Sequence, residues 1–253
     1  MENLEINKIY LGDALILINN IPDNSIDMVF MDPPFGHNNN QGDLISRREA
    51  VLGTGDYVPE RDDIPIMNDG KEADINFKKL LPEIHRVLKP GSVCCCCCSG
   101  GGGPSPLYAK WSLYLDEVFI FKQMIIWDKG PMGMGWHYRR SYETVLVSQK
   151  KGAACKWYDT SYKVENVIRH IHKIIPSSSH HPTEKPTALA SHFIKLHSLP
   201  NDIILDPFCG SGSTLLAADK LNRQWIGFEL DEKWFNHATE KLYNHKLQLK
   251  LFK

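Results

Sequence analysis

Two short apolar runs, each followed directly by Asp-Pro, constrain the fold of this chain more than any other feature. Ile26–Met31 leads into Asp-Pro-Pro-Phe at residues 32–35, and Ile203–Leu205 leads into Asp-Pro-Phe-Cys-Gly-Ser-Gly at residues 206–212. Each motif follows the end of a predicted buried strand. Ligands of open α/β sheets bind beside such strand ends. The two motifs therefore predict one site for a nucleotide-like cofactor and one for a planar amine.

Strand-like and helix-like segments alternate along the rest of the chain. Alternation of this kind predicts an α/β fold with a Rossmann-like, doubly wound, mostly parallel sheet. With 253 residues, 42% of them hydrophobic, the chain is predicted to form a single domain over 1–253. The predicted strands are Ser25–Met31, Ser92–Cys98, Gln123–Trp127, Thr144–Ser148, Ile203–Asp206 and Gln224–Glu229. The predicted helices are Phe77–Leu88, which Pro90 and Gly91 should stop, Tyr108–Phe119, Thr187–His197, Ser213–Leu221 and a last helix capped by Asp231.

Residues 36–75 are polar and rich in Gly, Asn, Asp and Pro. They predict a long irregular loop, and a loop of this length beside a site is typical of a lid or of disorder.

Five of the seven cysteines are consecutive, Cys94 to Cys98. Adjacent strand residues point to opposite faces, so this run does not suit a disulfide or zinc framework and indicates a buried strand in a reducing compartment. Neither this run nor the pair His170 and His172 has convincing metal-ligand spacing, so no metal is expected. The chain has no apolar stretch of about 18 residues for a membrane span and no signal-peptide pattern at Met1, which predicts a cytoplasmic protein without a membrane partner.

The late motif has the composition of a cofactor-binding turn. Gly210 and Gly212 permit a tight strand-to-helix turn and close approach of a ligand to the backbone. Glu229 ends the next predicted strand, where its carboxylate can accept hydrogen bonds from two ribose hydroxyls. The third glycine of the dinucleotide fingerprint is absent, because residue 215 is Leu. No Gly-Lys-Ser/Thr sequence supports ATP binding.

Taken together, these motifs resemble the β group of the amino-methylating DNA methyltransferases, which use S-adenosyl-L-methionine. The resemblance rests on Asp-Pro-Pro-Phe at 32–35, Asp-Pro-Phe-x-Gly-x-Gly at 206–212 and Glu229. His-Pro-Thr-Glu-Lys-Pro at 181–186 and Gly-Asp at 12–13 add to it. The resemblance covers almost the whole chain, and the catalytic motif precedes the cofactor loop, as in the circularly permuted order of that group. It implies the S-adenosylmethionine-dependent methyltransferase fold.

The resemblance also implies a role for each matching residue of the cofactor site. Asp206 would face the ammonium group of the cofactor and Lys185 its carboxylate, while Glu229 would hold the ribose hydroxyls. Asp13 would accept a hydrogen bond from the adenine amino group, although it also fits a simple turn at a strand end. Contacts along the methionine and ribose would come from Phe208, Gly210 and Gly212.

The early motif has the groups that methyl transfer to a base amine requires. Asp32 and the Pro33 carbonyl can each accept one N–H hydrogen bond, which favours an sp³ nitrogen with a free lone pair. Pro34 stiffens the turn, and Phe35 offers a ring on which a base can stack. A base of a duplex must leave the helix to reach such a pocket.

The first motif residue also bears on the target. In the family that the chain resembles, Asp is typical of adenine N6 enzymes and Ser of cytosine N4 enzymes, so adenine is expected and cytosine N4 is the alternative. A DNA-binding relative without activity and a methyltransferase for a protein amide or an RNA base are further alternatives. A nicotinamide dehydrogenase is a more distant one.

The middle of the chain predicts contact with double-stranded DNA. Residues 122–185 contain 11 Lys and Arg against 5 Asp and Glu, in a chain of net charge -1, a pattern that fits phosphate binding or a solvated basic face. Trp136, Arg139 and Arg140 combine a stacking group with phosphate binders, although a buried aromatic turn with exposed arginines also fits. Residues 150–180 are the predicted small target-recognition segment, which indicates short or relaxed specificity. A second subunit, as in a homodimer, and a cognate restriction endonuclease are the further partners to consider.

Overall fold

The computed structural model describes residues 4–35, 66–99, 107–130, 141–174 and 184–251, which contain one eight-stranded sheet. Its strands are β1 (Lys8–Leu11), β2 (Ile26–Met31), β3 (Leu88–Ser99), β4 (Ile120–Asp128), β5 (Tyr142–Gln149), β6 (Val167–Ile168), β7 (Ile203–Asp206) and β8 (Gln224–Glu229). The helices are α1 (Ala14–Leu17), followed by a 3₁₀ turn at Ile18–Asn20, then α2 (Glu72–Val87), α3 (Leu107–Val118), α4 (Thr187–His197), α5 (Ser213–Lys220) and α6 (Glu232–Leu251).

The strand order is β1-β8-β7-β2-β3-β5-β4-β6. Only β5 runs antiparallel to its neighbours β3 and β4, and the other neighbouring pairs are parallel. The predicted mostly parallel α/β sheet is therefore confirmed. We call the side on which β1, β8, β7, β2 and β3 end the carboxyl edge, and the opposite side the amino edge. Because β5 runs in the opposite direction, its first residues lie at the carboxyl edge.

Helices cover both faces of the sheet, as a doubly wound fold requires. The cysteine run shows the two faces on one strand, because Cys95 and Cys97 pack in one core cluster and Cys94, Cys96 and Cys98 in the other. The first cluster includes apolar residues of α4, α5 and α6, and the second includes those of α1, α2 and α3. The prediction of a buried cysteine strand is confirmed.

The boundary between α2 and β3 differs from the prediction. The helix ends at Val87, and β3 begins at the next residue, Leu88, because a residue close before a proline disfavours helical backbone. Pro90 and Gly91 lie inside the strand, where a register shift against β2 marks a bulge. Gly91 has φ +80°, and a Cβ there would lie 2.3 Å from the backbone oxygen of Ala154.

Other corrections concern short elements and helix starts. Helix α2 begins at Glu72, so residues 72–75 do not belong to the loop predicted for 36–75, while residues 36–65 lie outside the described ranges. Strand β1 and helix α1 were not predicted as elements, because four residues each are too few for a periodic pattern. Strand β6 was likewise too short to detect.

Within the described ranges, none of the helices combines the length and apolarity needed to cross a membrane. The same ranges contain no group of three or more His, Cys, Asp or Glu placed to hold a metal ion.

Candidate active site

A cavity at the carboxyl edge contains most of the predicted site residues. Asp13 follows β1, Glu229 ends β8, Asp206 ends β7 and Asp32 follows β2, so four neighbouring strands each contribute a carboxylate. The parallel arrangement brings these residues together although they are up to 216 positions apart in the chain. Further predicted residues that line the cavity are Pro33, Pro34, Phe35, Lys185, Phe208 and Gly210.

Gly212 does not lie in this lining. Its φ is +76°, it precedes α5, and a Cβ at this position would lie 3.1 Å from the Cβ of Ala238 in α6. This glycine therefore permits close packing between the turn and α6, and its predicted contact with the cofactor stays a prediction. Trp136, Arg139 and Arg140 lie outside the described residues.

The cavity is strongly acidic. Among the described residues that line it, seven are acidic and one is a lysine: Asp13, Asp32, Asp69, Glu184, Asp206, Glu229 and Asp231, with Lys185. Such a lining favours a cationic ligand and opposes a pyrophosphate group, because like charges repel strongly where water is largely excluded. The predicted alternative of a nicotinamide dinucleotide is disfavoured for the same reason.

Glu229 is held by the backbone around it. Its Oε2 accepts a hydrogen bond from the N–H of Gly210 at 2.7 Å, and its Oε1 accepts from Leu230 and Asp231, each at 2.9 Å. A carboxylate offers about four acceptor positions. The fixed carboxylate therefore has capacity left for one hydroxyl ligand. Burial raises the pKa of Glu229, and these backbone hydrogen bonds oppose the shift.

Asp206 lies almost completely buried at the end of β7. Burial raises its pKa to about 7, with smaller contributions from the charges of Asp32 and Glu229. Its Oδ1 accepts a hydrogen bond from the Phe208 N–H at 3.0 Å. A cation bound beside Asp206 would favour the ionised form of this carboxyl group.

Asp13 caps α1, since its Oδ1 accepts a hydrogen bond from the Leu15 N–H at 2.9 Å. Asp13 therefore does lie in a turn at a strand end, where its side chain caps the following helix. Its role toward a cofactor adenine stays a prediction, because a side chain that caps a helix and lines the cavity can still accept a second hydrogen bond.

Lys185 contacts the catalytic motif. Its ammonium donates to Asp32 Oδ2 at 2.6 Å, lies 3.5 Å from Glu143 Oε2 and lies 5.0 Å from the centre of the Phe35 ring. The predicted contact with a cofactor carboxylate stays a prediction. In the structure the described partners of Lys185 are the carboxylates of Asp32 and Glu143.

The charges of this group follow from burial and pairing. Burial raises the pKa of Asp32 above its ordinary value, against the opposing effect of Lys185. Burial lowers the pKa of Lys185, but the two carboxylates outweigh burial and raise it overall. For Glu143, the lysines Lys185 and Lys129 outweigh burial and lower the pKa. Lys185 and Glu143 therefore stay charged around neutral pH.

Sequence reasoning missed Glu143, Lys129 and Glu184. Glu143 is the second residue of β5, and no motif marks it as a partner of Lys185. Glu184 accepts from Ser213 Oγ at 2.9 Å and from Lys241 Nζ at 2.6 Å, so it connects the start of α4 to α5 and α6. Its position directly before Lys185, inside the His-Pro-Thr-Glu-Lys-Pro motif, is the sequence signal that could have identified Glu184.

Only part of the predicted recognition segment lies at the carboxyl edge of the sheet. Lys156 donates to Asp27 Oδ1 at 2.7 Å, and the Tyr158 N–H donates to the Leu196 carbonyl at the end of α4. Asp27 lies at the start of β2, so residues 150–158 pack at the amino edge. The carboxyl edge is reached at residues 167–174, after β6, and residues 175–180 lie outside the described ranges.

Comparison with solved structures establishes the class of protein. The M1.HpyAVI–SAM complex is 26% identical, with a TM-score of 0.63, and the match covers 92% of this chain and 98% of that one. The PvuII DNA methyltransferase, named as cytosine-N4-specific, is 20% identical with a TM-score of 0.70, over 94% of this chain and 86% of that one. The fold is that of the S-adenosylmethionine-dependent methyltransferases, as predicted.

Sequence comparison then establishes the family. The profile of a family described as DNA methylase matches residues 26–240. The chain belongs to this family of DNA methyltransferases, which confirms the predicted enzyme class and its cofactor, S-adenosyl-L-methionine. The DNA adenine methyltransferase YhdJ of Escherichia coli K12 is 27% identical over 264 aligned positions, 91% of this chain and 81% of that protein.

Proposed function

We propose that this chain transfers a methyl group from S-adenosyl-L-methionine to the N6 amine of a flipped-out adenine in double-stranded DNA. The observation that carries the proposal is the Asp32–Lys185 ion pair, 2.6 Å long, beside an acidic cavity at the carboxyl edge. Asp32 Oδ1 is buried and has no hydrogen-bond partner among the described residues, so the carboxylate has capacity for an N–H donor.

The residues present fit the cofactor. When bound, S-adenosyl-L-methionine supplies an electrophilic methyl group on a sulfonium, and the acidic lining suits both this sulfonium and the ammonium of the methionine part. Asp206 would pair with the ammonium, Glu229 would accept from one ribose hydroxyl, and Phe208 and Gly210 would lie along the cofactor. Pairing of a buried carboxyl group with a cation is favoured because the unpaired charge is costly to bury.

The catalytic motif would activate the amine of the base. Asp32 and the Pro33 carbonyl would accept the two N–H groups and hold the nitrogen in a tetrahedral geometry. Fixed acceptors of this kind stabilise developing charge without reorganising during the reaction. Phe35, the last residue of the motif, is half-buried, and its ring can stack on the extruded base.

Two observations favour adenine over cytosine. Asp is the first residue of the catalytic motif, and the relative YhdJ is named as a DNA adenine methyltransferase. The PvuII enzyme is named as cytosine-N4-specific, but at 20% identity the likeness concerns the fold alone. Cytosine N4 is therefore the second candidate.

The product decides between the two. Plasmid DNA from a methylation-free host is incubated with the protein and isotope-labelled S-adenosyl-L-methionine, and the nucleosides are analysed by mass spectrometry. We expect labelled N6-methyladenine. N4-methylcytosine as the sole product would establish the second candidate, and cofactor binding without transfer to DNA would indicate a relative that has lost catalysis.

The Asp32→Ala variant tests the catalytic assignment in the same assay. We expect loss of transfer with cofactor affinity largely retained, because Asp32 acts on the target amine. Normal turnover by the variant would exclude Asp32 as the activating group. The homodimer, the cognate endonuclease, the single-domain organisation and the cytoplasmic location stay predictions.

A further inference from the structure

Four charged side chains form an alternating row behind the catalytic motif. Asp32 Oδ2 lies 2.6 Å from Lys185 Nζ, Lys185 Nζ lies 3.5 Å from Glu143 Oε2, and Glu143 Oε1 lies 3.0 Å from Lys129 Nζ. The side chains of Lys185, Glu143 and Lys129 are 10%, 18% and 14% exposed. Two carboxylates and two ammonium groups thus balance in a largely dry environment, where unpaired charges would be costly.

The sheet fixes the position of Glu143 in this row. As the second residue of β5, Glu143 pairs with Ser99 of β3 on one side and with Trp127 of β4 on the other. Lys129 directly follows β4, and its N–H donates to the Ser141 carbonyl at 2.8 Å. Glu143 is therefore held by strands on both sides, whereas Asp32 and Lys185 lie on connecting segments.

A lysine between two carboxylates has a defined position. With Asp32 as its only partner, the ammonium of Lys185 could follow any rotation of that carboxylate. The second carboxylate, on a rigid strand, restricts the ammonium to one side of Asp32. Packing and neighbouring contacts that lock a reactive side chain are what a precise catalytic geometry requires.

We propose that Glu143 is a positioning residue for methyl transfer. Its carboxylate holds the Lys185 ammonium against one oxygen of Asp32, which leaves the other oxygen as the acceptor for the amino group of the target base. In support of this division, Asp32 Oδ1 is buried and accepts no hydrogen bond from the described residues. Glu143 Oε2 likewise accepts none there, and its contact with Lys185 is an ion pair at 3.5 Å. The inference rests on the proposed function for its catalytic consequence, but the link between Glu143 and Asp32 is a property of the protein alone.

A purely structural role for Glu143 predicts something different. In that case the Glu143–Lys129 pair would stabilise the ends of β4 and β5, and its loss would lower the melting temperature while kcat of the folded protein stayed unchanged. The positioning role instead predicts a lower kcat at retained cofactor affinity, together with a change in the titration of Asp32, because the charge of Glu143 raises the pKa of that carboxyl group. Among the described residues, other charged or titratable groups near the row are Lys173, Cys97 and Asp206.

The test compares Glu143→Gln and Glu143→Asp with wild type. The control is Glu117→Gln, which removes an exposed carboxylate paired with Lys78 on the surface. The Asp32 titration is followed by NMR of protein labelled with 13C at aspartate carboxyl carbons, and Asp32→Asn identifies its signal. Turnover on DNA is measured as a function of pH, and cofactor affinity by calorimetry.

For Glu143→Gln we expect a lower Asp32 pKa, an acidic limb of kcat moved to lower pH, and kcat lowered about ten- to a hundredfold, as for loss of a charged contact. Cofactor affinity should stay near wild type. Glu143→Asp keeps the charge and should restore the pH limb, and Glu117→Gln should resemble wild type throughout.

An unchanged Asp32 titration in Glu143→Gln would overturn the inference, whatever the activity on DNA. A shifted titration with normal turnover on DNA would also overturn it, since the link would then have no catalytic consequence. If wild type transferred no methyl group to DNA while the titration shifted, the proposed function would fail and the Glu143–Asp32 link would stand.

Discussion

Asp206 is a cavity residue whose carboxyl pKa is raised by burial into the neutral range. Its pKa of about 7 means that the carboxyl group is mostly neutral below that pH and mostly ionised above it. Only the ionised form pairs with the ammonium of the cofactor. We therefore expect calorimetry to show about tenfold tighter binding of S-adenosyl-L-methionine at about pH 8 than at about pH 6. Asp206→Asn should bind weakly at both pH values, and equal wild-type affinities would contradict the assignment.

The same shift fixes the sign of an effect on stability. Because the pKa of Asp206 is higher in the folded than in the unfolded chain, ionisation opposes folding, and this cost appears as the pH rises toward and through about 7. Asp206→Asn should therefore raise the melting temperature of the cofactor-free protein at about pH 8, by roughly 2–4 °C per kcal/mol recovered. At about pH 5 the effect should be small.

Single residues were predictable where their chemistry follows directly from a strand end. Asp32, Asp206 and Glu229 were found in this way, because the carboxyl ends of parallel strands meet at one edge. Glu143 was not, since its contact with Lys185 depends on an antiparallel strand whose place in the sheet no local pattern specifies. Gly212 was predicted from its motif alone, and its close approach to Ala238 adds a helix-packing reason for glycine that the motif does not reveal.

At the scale of elements, Lys150 closes the end of α2. Its ammonium donates to the carbonyls of His85 and Leu88 at 2.7 and 2.8 Å, and to Asn24 Oδ1 at 2.8 Å. The side chain is buried, and a cation at a helix C-terminus also interacts favourably with the helix dipole. One lysine thus joins α2, β3 and the turn before β2.

We expect Lys150→Met to lower the free energy of unfolding by roughly 1–3 kcal/mol, because buried carbonyl groups lose their donor. Lys151→Met is the matched control, since Lys151 is exposed and adjacent. Urea denaturation of both variants measures the difference. Equal midpoints for the two would show that the contacts of Lys150 add nothing to stability.

Element boundaries were predictable to different degrees. Helix α4 and strands β7 and β8 match their predicted bounds, since a clear apolar pattern ends at a polar or turn residue in each. The start of α2 does not, because Glu72 and Asp74 look loop-like although acidic residues suit a first helical turn. Asp74 also makes a tertiary contact, because its Oδ2 accepts a hydrogen bond from Lys110 Nζ of α3 at 2.6 Å.

At the scale of the whole molecule, the alternation of strands and helices predicted the sheet but not its strand order. The position of β5 between β3 and β4 depends on pairings between distant segments, which local patterns do not encode. The consequence reaches function, because this order divides the basic middle of the chain between two edges. Residues 150–158 lie at the amino edge, away from the cavity, and the flanks of the segment 131–140 lie at the carboxyl edge, where Lys129 bonds Ser141.

The division of basic residues between the two edges predicts which of them contact DNA. Arg139 and Arg140 belong to the segment whose flanks meet at the carboxyl edge, whereas Lys151 is exposed next to Lys150 at the amino edge. If the arginines contact phosphates, Arg139→Gln and Arg140→Gln should each weaken binding to all sequences about equally and reduce the salt slope by about 0.9. Lys151→Gln removes the same charge and should leave both the affinity and the salt slope unchanged, which separates a local contact from a change in net charge.

Fluorescence anisotropy over a salt series measures the slope, and methylome sequencing measures the target sequence. A single strictly read site of six or more base pairs, altered in the arginine variants, would show that these arginines read bases rather than phosphates.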